Sequence, residues 1–205
     1  MSKSYADNIL SIYERHAQTW GKRRSKGFLA KAWFDVFIDT LPDQGNECAV
    51  LDLGCGTGQP IAAYLVENGF NVTGVDGASA MIKIASEAYP DHTWIKSDMR
   101  CLPMLGSFDG VFAWHSFFHL TPNDQRPMFE TFALLCKPLA PLMFTSGTSL
   151  DEAIGEFEGE RLYHGSLDPV EYRSLLDQNG FEVLKHVEED PNCGGATIWL
   201  ARKRA

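Results

Sequence analysis

The most distinctive stretch of the chain is a glycine-rich loop between two acidic residues. Asp52 belongs to a short apolar run, and Gly54, Gly56 and Gly58 follow it at alternate positions. Asp76 ends the next predicted strand, where a carboxylate can accept both hydroxyls of a ribose. Because glycines remove side-chain bulk and a helix follows, a ligand can reach the backbone N–H groups of this loop. The pattern predicts a site for a nucleoside-containing cofactor.

Two kinds of cofactor compete for this site, a dinucleotide and an adenosine without phosphates. A dinucleotide would place its pyrophosphate at the N-terminus of the following helix. The GxGxG spacing differs from the GxGxxG of dinucleotide-binding loops, and Asp52 would add negative charge beside a pyrophosphate. The loop therefore favours a cationic ligand.

A second cluster of reactive side chains lies in residues 108–120. Trp114 and His115 are at the end of a predicted strand, and His119 follows shortly after. Either histidine could accept a proton from an attacking oxygen or nitrogen, since an unperturbed imidazole titrates near neutrality. The alternative for each is a structural hydrogen bond at the strand end. Aromatic faces and carbonyl oxygens here would also favour a cation.

Strands and helices alternate along most of the chain, and this alternation must position both clusters. The predicted strands are residues 49–53, 72–76, 93–95, 108–115, 142–145, 181–188 and 196–201. Helices are predicted between them, with proline or a capping residue at most of the starts. The order is typical of an α/β protein with a doubly wound, mostly parallel sheet. The last two strands predict an antiparallel hairpin at the C-terminal edge, and residues 147–166 are predicted as a polar segment.

The N-terminal part is expected to form two amphipathic helices, since apolar positions recur at helical spacing in residues 9–20 and 28–37. Pro42, Gly45 and Asn46 break this pattern. No repeat, low-complexity tract or linker is visible. We therefore expect a single domain over residues 1–205, with a helical cap in 1–45 and a core in 46–205.

Three motifs carry a resemblance to a known family. LDLGCGTG, GVD and SDM, at residues 51–58, 74–76 and 97–99, resemble the class I S-adenosylmethionine-dependent methyltransferases. The resemblance runs from Ala49 to Ala201 and implies a Rossmann-like, seven-stranded sheet under an N-terminal helical cap. Residues 145–176 and 190–203 resemble a bacterial subgroup that acts on small molecules. One departure is the segment 138–141, Pro-Leu-Ala-Pro, in place of the usual glycine-rich turn.

This resemblance implies S-adenosylmethionine as cofactor and S-adenosylhomocysteine as product. It implies that Gly54, Cys55 and Gly56 pass along the methionine and ribose parts, with Asp52 near the amino group and Asp76 on the ribose hydroxyls. The other cofactor contacts that it implies are those of Gly58, Gly77, Met81, Asp98, Met99, Trp114, Tyr13 and Trp20. Met81 could equally be a core residue, and Asp98 could simply cap a turn. Further candidates on the lid and the polar segment are Arg15, His16, Arg24, Glu160, Arg161, Tyr163 and His164.

The expected reaction is in-line methyl transfer to an oxygen, nitrogen or carbon of a small-molecule acceptor. Such a reaction mainly needs collinear reactants and a dry site. Where a proton must leave, His115 is the first candidate base and His119 the second. A non-catalytic sensor of the cofactor or its demethylated product is one alternative. An NAD(P)-dependent oxidoreductase is another, although no tyrosine has a lysine four residues later.

The amino-acid composition restricts the classes of molecule that the protein is expected to bind. The 205-residue chain has 44% hydrophobic residues and a formal net charge of −9, so it folds and would repel a polyanion such as nucleic acid. Its five cysteines are an odd number without metal-ligand spacing, so neither a disulfide framework nor a metal site is expected. No signal peptide or membrane-spanning stretch is visible. We expect a cytoplasmic monomer or homodimer.

Overall fold

The computed structural model describes residues 2–24, 27–42 and 48–205, with no side-chain description for residues 2–4. Its strands are β1 (Ala49–Leu53), β2 (Asn71–Asp76), β3 (Thr93–Lys96), β4 (Gly110–Ala113), β5 (Pro141–Ser146), β6 (Asp151–Phe157), β7 (Glu160–Ser166), β8 (Phe181–Asp190) and β9 (Ala196–Lys203). Its helices are α1 (Ser2–Asp7), α2 (Ile9–Arg24), α3 (Lys31–Thr40), α4 (Ile61–Glu67), α5 (Ser79–Ala88), α6 (Pro122–Leu135) and α7 (Pro169–Gln178).

The main sheet has seven strands in the order β3-β2-β1-β4-β5-β9-β8. Strands β1 to β5 pair in parallel, and β9 runs antiparallel between β5 and β8. The predicted doubly wound sheet with its C-terminal antiparallel hairpin is confirmed. Because β1 lies between β2 and β4, the chain reverses its winding at β1. Ligands of such sheets bind at this switch point, outside the carboxyl ends of the strands.

Apolar layers cover both faces of the sheet. On one face, residues of α3 and α4 pack with residues of β1 and β4 in one buried cluster. On the other face, the α6 and α7 residues Phe129, Phe132 and Tyr172 pack with Phe144 and Trp199. Both sides of the parallel strands are therefore buried, which explains why β4 is apolar throughout.

The capping residues and prolines that predicted the starts of α6 and α7 have the expected roles in the structure. The Thr121 hydroxyl accepts a hydrogen bond from the Asp124 N–H, and the Asp168 carboxylate accepts one from the Val170 N–H. A proline occupies the first turn of each of these helices, and Gly180 has φ +80° just beyond α7. Local capping chemistry thus fixes where α6 and α7 begin.

Two expectations about elements of the core were wrong. The fourth strand ends at Ala113 rather than at His115, whose φ of 53° is not extended. The segment 147–166 contains the antiparallel hairpin β6–β7, closed at Glu158 and Gly159, which both have positive φ as a type I′ turn requires. The strand β6 is exposed at nearly every position, so it lacks the alternating apolar pattern that marks a half-buried strand.

The N-terminal region also differs from the expectation of two helices, since the structure has α1, α2 and α3. Only α1 and α2 lie over the carboxyl edge of the sheet. In α3, Phe34 and Phe37 pack edge-to-face on Phe112 of β4, at ring-centroid distances of 5.1 and 5.6 Å. Gly45, Asn46 and the expected boundary between cap and core lie outside the described residues. No helix of the described ranges is long and apolar enough to cross a bilayer.

Candidate functional site

A cavity of about 1000 Å³, counting its part open to solvent, lies between the carboxyl edge of the sheet and α2. It is lined by both candidate bases and by every expected cofactor contact except Gly58. Of the further candidates on the lid and the polar segment, only Arg24 lines it. A Cβ at Gly58 would face Trp94 and Tyr89 instead, at 3.2 and 3.4 Å. With φ +77°, Gly58 contributes backbone freedom to the loop rather than a surface of the cavity.

The glycine loop is held from two sides. The Gly54 and Cys55 N–H groups donate to the Val75 carbonyl oxygen of β2, at 2.7 and 3.0 Å. On the other side, the Ser116 hydroxyl donates to the Leu53 carbonyl oxygen at 2.5 Å. A Cβ at Gly54 would lie 2.7 Å from the Ser116 oxygen and even closer to its Cβ. The loop can therefore adopt this path only with glycine at position 54.

Asp76 connects the loop to the start of α5. One carboxylate oxygen accepts the Gly56 N–H at 2.9 Å, and the other accepts the Ala78 N–H at 2.8 Å. Burial raises the pKa of Asp76 to about 6, although these two donors oppose the shift. Each carboxylate oxygen keeps one lone pair, so the group can still accept hydrogen bonds from a ligand in the cavity.

The acidic Asp52, which is buried, and the basic Arg24, which is partly buried, line the same cavity, and neither forms an ion pair with another described residue. Asp52 is 3% exposed, and no described residue donates a hydrogen bond to it. Burial, reinforced by Asp76, raises its pKa well above the usual range, whereas Arg24 opposes this. Arg24 lies over the Trp20 ring at 5.5 Å, and among the described residues no carboxylate forms an ion pair with it. Buried charges are stable only when paired. The two groups therefore fit a ligand with both a cationic and an anionic end.

The carboxylate of Asp98, an expected cofactor contact, is already bonded to Arg100, a residue that the sequence did not single out. The Arg100 guanidinium donates to both carboxylate oxygens of Asp98, at 2.7 to 3.1 Å, and reaches Asp124 at 3.4 Å. Burial opposes the shift, yet these hydrogen bonds hold the pKa of Asp98 below its usual range. Met81 is 1% exposed, packs with Ala17 of α2 and also lines the cavity.

His119 has both ring nitrogens in hydrogen bonds. Its Nδ1 is 2.7 Å from the Tyr163 carbonyl oxygen, and its Nε2 is 2.9 Å from the Tyr13 hydroxyl oxygen. Because a carbonyl only accepts, Nδ1 must carry the proton, and Nε2 then accepts from Tyr13. Burial lowers the pKa of His119 to about 3, so the ring is neutral. The neutral His119 thus fixes the orientation of the Tyr13 hydroxyl.

This pair carries a stability prediction. In Tyr13→Phe, the buried Nε2 of His119 loses its donor, and we expect unfolding to become easier by about 1–3 kcal/mol. Urea titration followed by circular dichroism measures this change. Tyr5→Phe is the control, because the Tyr5 hydroxyl accepts from the exposed Arg161 and its loss should cost little. Equal stability of the two variants would contradict the assigned hydrogen bond.

His115 differs from His119 because its ring nitrogens have no hydrogen-bond partner among the described residues. Its backbone N–H donates to the Thr145 hydroxyl at 2.9 Å, which helps to hold the left-handed conformation. Burial first, then the charge of Arg24 and the proximity of His164, lowers the pKa of His115 to about 4. A neutral imidazole with a free lone pair therefore faces the cavity.

The helix α2 closes the cavity and is held at both sides. On one side, Ala17 packs with Ala78 and Met81, and the Glu14 carboxylate accepts the Ala80 N–H at 3.0 Å. On the other side, Phe157 at the hairpin tip packs against the rings of Tyr13, His16 and Trp20 at 5.4 to 6.0 Å. The tip also forms three ion pairs with α2, namely Arg15–Glu160, His16–Glu160 and Arg23–Glu158. Several lid candidates thus join α2 to a hairpin that the sequence analysis missed.

Comparisons with known proteins identify related sequences. A methyltransferase-domain family model matches residues 50–139. An O-methyltransferase of Pyrenophora dematioidea is 26% identical over 166 residues, which cover 75% of this chain and 61% of that protein. The magnesium-protoporphyrin O-methyltransferase of Rhodobacter capsulatus is 35% identical over 101 residues, which cover 46% of this chain and 44% of that protein. The matched part of the chain thus spans less than two thirds of the length of these relatives.

Similarity of fold extends over the whole chain. The crystal structure of the Burkholderia thailandensis 1,6-didemethyltoxoflavin-N1-methyltransferase, with bound 1,6-didemethyltoxoflavin and S-adenosylhomocysteine, superposes with a TM-score of 0.75. It is 18% identical and covers 100% of this chain and 91% of that one. Residues 50–139 thus match a methyltransferase domain, and the whole chain shares the fold of a methyltransferase crystallised with S-adenosylhomocysteine. Both findings agree with the resemblance of the sequence motifs to the class I S-adenosylmethionine-dependent methyltransferases.

Proposed function

We propose that the protein binds S-adenosylmethionine and catalyses methyl transfer to a small-molecule acceptor. The observation that carries this proposal is that the buried Asp52 and the partly buried Arg24 line one cavity beside the glycine loop, and that neither forms an ion pair with another described residue. The methionyl end of the cofactor bears an ammonium and a carboxylate, and this pair is complementary to both. When bound, the cofactor supplies a methyl group on a positively charged sulfur.

The remaining cavity residues fit the other parts of the cofactor. Asp76 accepts the ribose hydroxyls, Met81 covers one face of the adenine, and the Asp98–Arg100 pair with the Met99 N–H borders its edge. Trp114, Tyr13 and Trp20 enclose the sulfonium end with aromatic faces, which attract a cation. A nicotinamide dinucleotide fits less well, because Asp52 lies where a pyrophosphate would bring further negative charge.

The chemistry asks little of the protein beyond position and exclusion of water. The helix α2, fixed by α5 and by the hairpin tip, covers the cavity and excludes solvent from the reacting atoms. His115 accepts the proton of an acceptor hydroxyl or amino group on its free nitrogen. His119 acts through Tyr13, whose hydroxyl it orients, because both of its own nitrogens are already bonded.

The acceptor is proposed to be a small molecule rather than a nucleic acid. A formal net charge of −9 repels a polyanion at long range. The curated relatives reported above are named for O-methylation, and the structural neighbour is named for N-methylation of a heterocycle. The attacking atom is therefore taken as oxygen or nitrogen, and the position of His115 suits both.

Calorimetry with S-adenosylhomocysteine tests the cofactor site. We expect Asp76→Ala to bind about tenfold more weakly or worse, because a hydrogen bond to a charged group contributes about 1.5–3 kcal/mol. Asp76→Asn keeps the side-chain size but not the charge. Its difference from wild type should shrink as the pH falls below about 6, where wild-type Asp76 becomes protonated.

Three outcomes would overturn parts of this proposal. Equal affinity of wild type and Asp76→Ala would remove Asp76 from the site. A wild-type protein that ignores S-adenosylhomocysteine but copurifies with NAD would favour the oxidoreductase alternative. Tight cofactor binding without labelled methyl transfer to any acceptor of a broad panel of phenols, carboxylic acids and amines would favour the sensor.

A further inference from the structure

A second cavity opens at the base of the β6–β7 hairpin. It measures about 620 Å³, counting the part open to solvent, and none of the proposed cofactor residues lines it. The lining residues come from the end of β5, the loop after it, both hairpin strands and one aromatic side chain of the β4–α6 connection. They are Phe118, Ser146, Gly147, Thr148, Ser149, Asp151, Ala153, His164, Gly165 and Ser166.

The two cavities share a wall of aromatic rings. The Phe118 ring is 5.9 Å from the His115 ring, and the His164 ring is 5.1 Å from the His119 ring. Phe118 and His164 contact each other at 5.1 Å and line the second cavity, whereas His115 and His119 line the first. A planar group seated on Phe118 and His164 is thus one ring layer away from His115.

The hairpin that forms this cavity also organises the reaction site. Its Tyr163 carbonyl fixes the proton of His119, and its Phe157 packs against Tyr13. The same two strands therefore position both an occupant of the cavity and the Tyr13–His119 pair. This coupling is what a site for the second substrate requires, because reactants must be held in a fixed mutual orientation.

We propose that the cavity at the base of the β6–β7 hairpin binds the methyl acceptor, and that this acceptor is a hydroxylated or aminated aromatic ring whose remote end is uncharged or cationic. The inference rests on the proposed function. Phe118 and His164 supply the ring platform. In this proposal the reactive substituent extends past the edge of Phe118, which is only partly buried, towards His115.

The charge preference follows from the lining. No lysine or arginine lines this cavity, and the carboxylate of Asp151 is its charged side chain. Burial lowers the pKa of His164, which keeps that ring neutral and available for stacking. An anionic tail would thus meet a like charge and no counterion. Hydroxyl groups of Thr148 and Ser149 can serve a neutral polar tail.

Two variants of neighbouring residues test the location. Ala153 lines the cavity, and Ile154 is the next residue of β6, 42% exposed and outside the lining. Side chains of successive strand residues point to opposite faces. We expect Ala153→Trp to fill the cavity and reduce acceptor binding at least about tenfold, or about 1.4 kcal/mol. Ile154→Trp should leave it unchanged, and both should bind S-adenosylhomocysteine like wild type.

Three phenols with one ring and different tails test the chemistry. Tyrosol is neutral, tyramine cationic and para-hydroxyphenylacetate anionic, and each is titrated by calorimetry into protein saturated with S-adenosylhomocysteine. We expect tyrosol and tyramine to bind, with para-hydroxyphenylacetate about tenfold weaker than tyramine. In Asp151→Lys this order should reverse, because the rim charge then has the opposite sign.

The outcomes separate this inference from the proposed function. If wild type does not bind S-adenosylhomocysteine, the proposed function itself fails. If wild type binds it but no phenol up to millimolar concentration, or if Ala153→Trp binds phenols like Ile154→Trp, the acceptor site is refuted while the cofactor site stands. An unchanged order of the phenols in Asp151→Lys would refute the charge preference.

Discussion

Gly54→Ala is expected to abolish cofactor binding, with at least a hundredfold loss of affinity for S-adenosylhomocysteine. Gly54 has φ +83°, which an alanine adopts only at a cost of roughly 1–2 kcal/mol. The new methyl group would also lie inside the contact distance of Ser116, whose hydroxyl holds the end of β1. The loop must then move away from the path that its bonds to Val75 define. We expect a total destabilisation of about 3 kcal/mol or more, since overpacking adds about 1–3 kcal/mol.

Gly106→Ala provides a matched control for this prediction. Gly106 has nearly the same backbone angle, φ +79°, but no atom lies within 4 Å of the position of its Cβ. The control therefore bears the conformational cost without the steric one, and its affinity for S-adenosylhomocysteine should equal that of wild type. Calorimetry gives the affinities, and urea titration gives the free energies of unfolding. If both variants lost affinity equally, the contact with Ser116 would not matter.

The part of the fold that the sequence predicts is the part fixed by local chemistry. Thr121 and Asp168 cap their helices through atoms only two or three residues away, so their types alone locate the starts of α6 and α7. The glycines and Asp76 likewise read as a cofactor loop, because the βα turn brings them together within one supersecondary unit. Residues of this kind report their structure without knowledge of distant elements.

The hairpin could not be predicted for the opposite reason. Its exposed strands bury little apolar surface, and its tip is held by Phe157, Glu158 and Glu160 against α2, more than 130 positions earlier in the chain. Nothing local in DEAIGEFEGERLYH distinguishes those glutamates from a solvated polar segment. The one local signal was Gly159, since glycine readily adopts the positive φ that a type I′ turn requires.

Residue types in the site were predictable, but their hydrogen-bond partners were not. His115 and His119 are both neutral imidazoles near the cavity, and the sequence could not show that one is free while the other is bonded at both nitrogens. Similarly, Asp98 was an expected adenine contact, yet Arg100 occupies its carboxylate. In both cases the difference depends on groups brought together by the fold, such as the Tyr163 carbonyl of the hairpin.

The second large effect is expected for Arg24→Ala. If Arg24 pairs with the carboxylate of the methionyl end, removing it leaves that carboxylate in a partly buried site without a counterion. Truncating one partner of a buried, hydrogen-bonded charge pair costs about 2–5 kcal/mol. We therefore expect affinity for S-adenosylhomocysteine to fall about a hundredfold, which corresponds to about 2.7 kcal/mol.

A truncated ligand and a neighbouring variant isolate this charge pair. Methylthioadenosine keeps the adenine, ribose and sulfur but lacks the amino-acid end, so wild type and Arg24→Ala should bind it with the same affinity. Arg23→Ala is the control variant, because the Arg23 side chain is 59% exposed and pairs with Glu158 outside the cavity. Exposed ion pairs contribute about 1 kcal/mol at most, so its affinity for S-adenosylhomocysteine should change less than about fivefold. A hundredfold loss for both ligands would instead mean that Arg24 stabilises α2 through its contact with Trp20, and that another group holds the carboxylate.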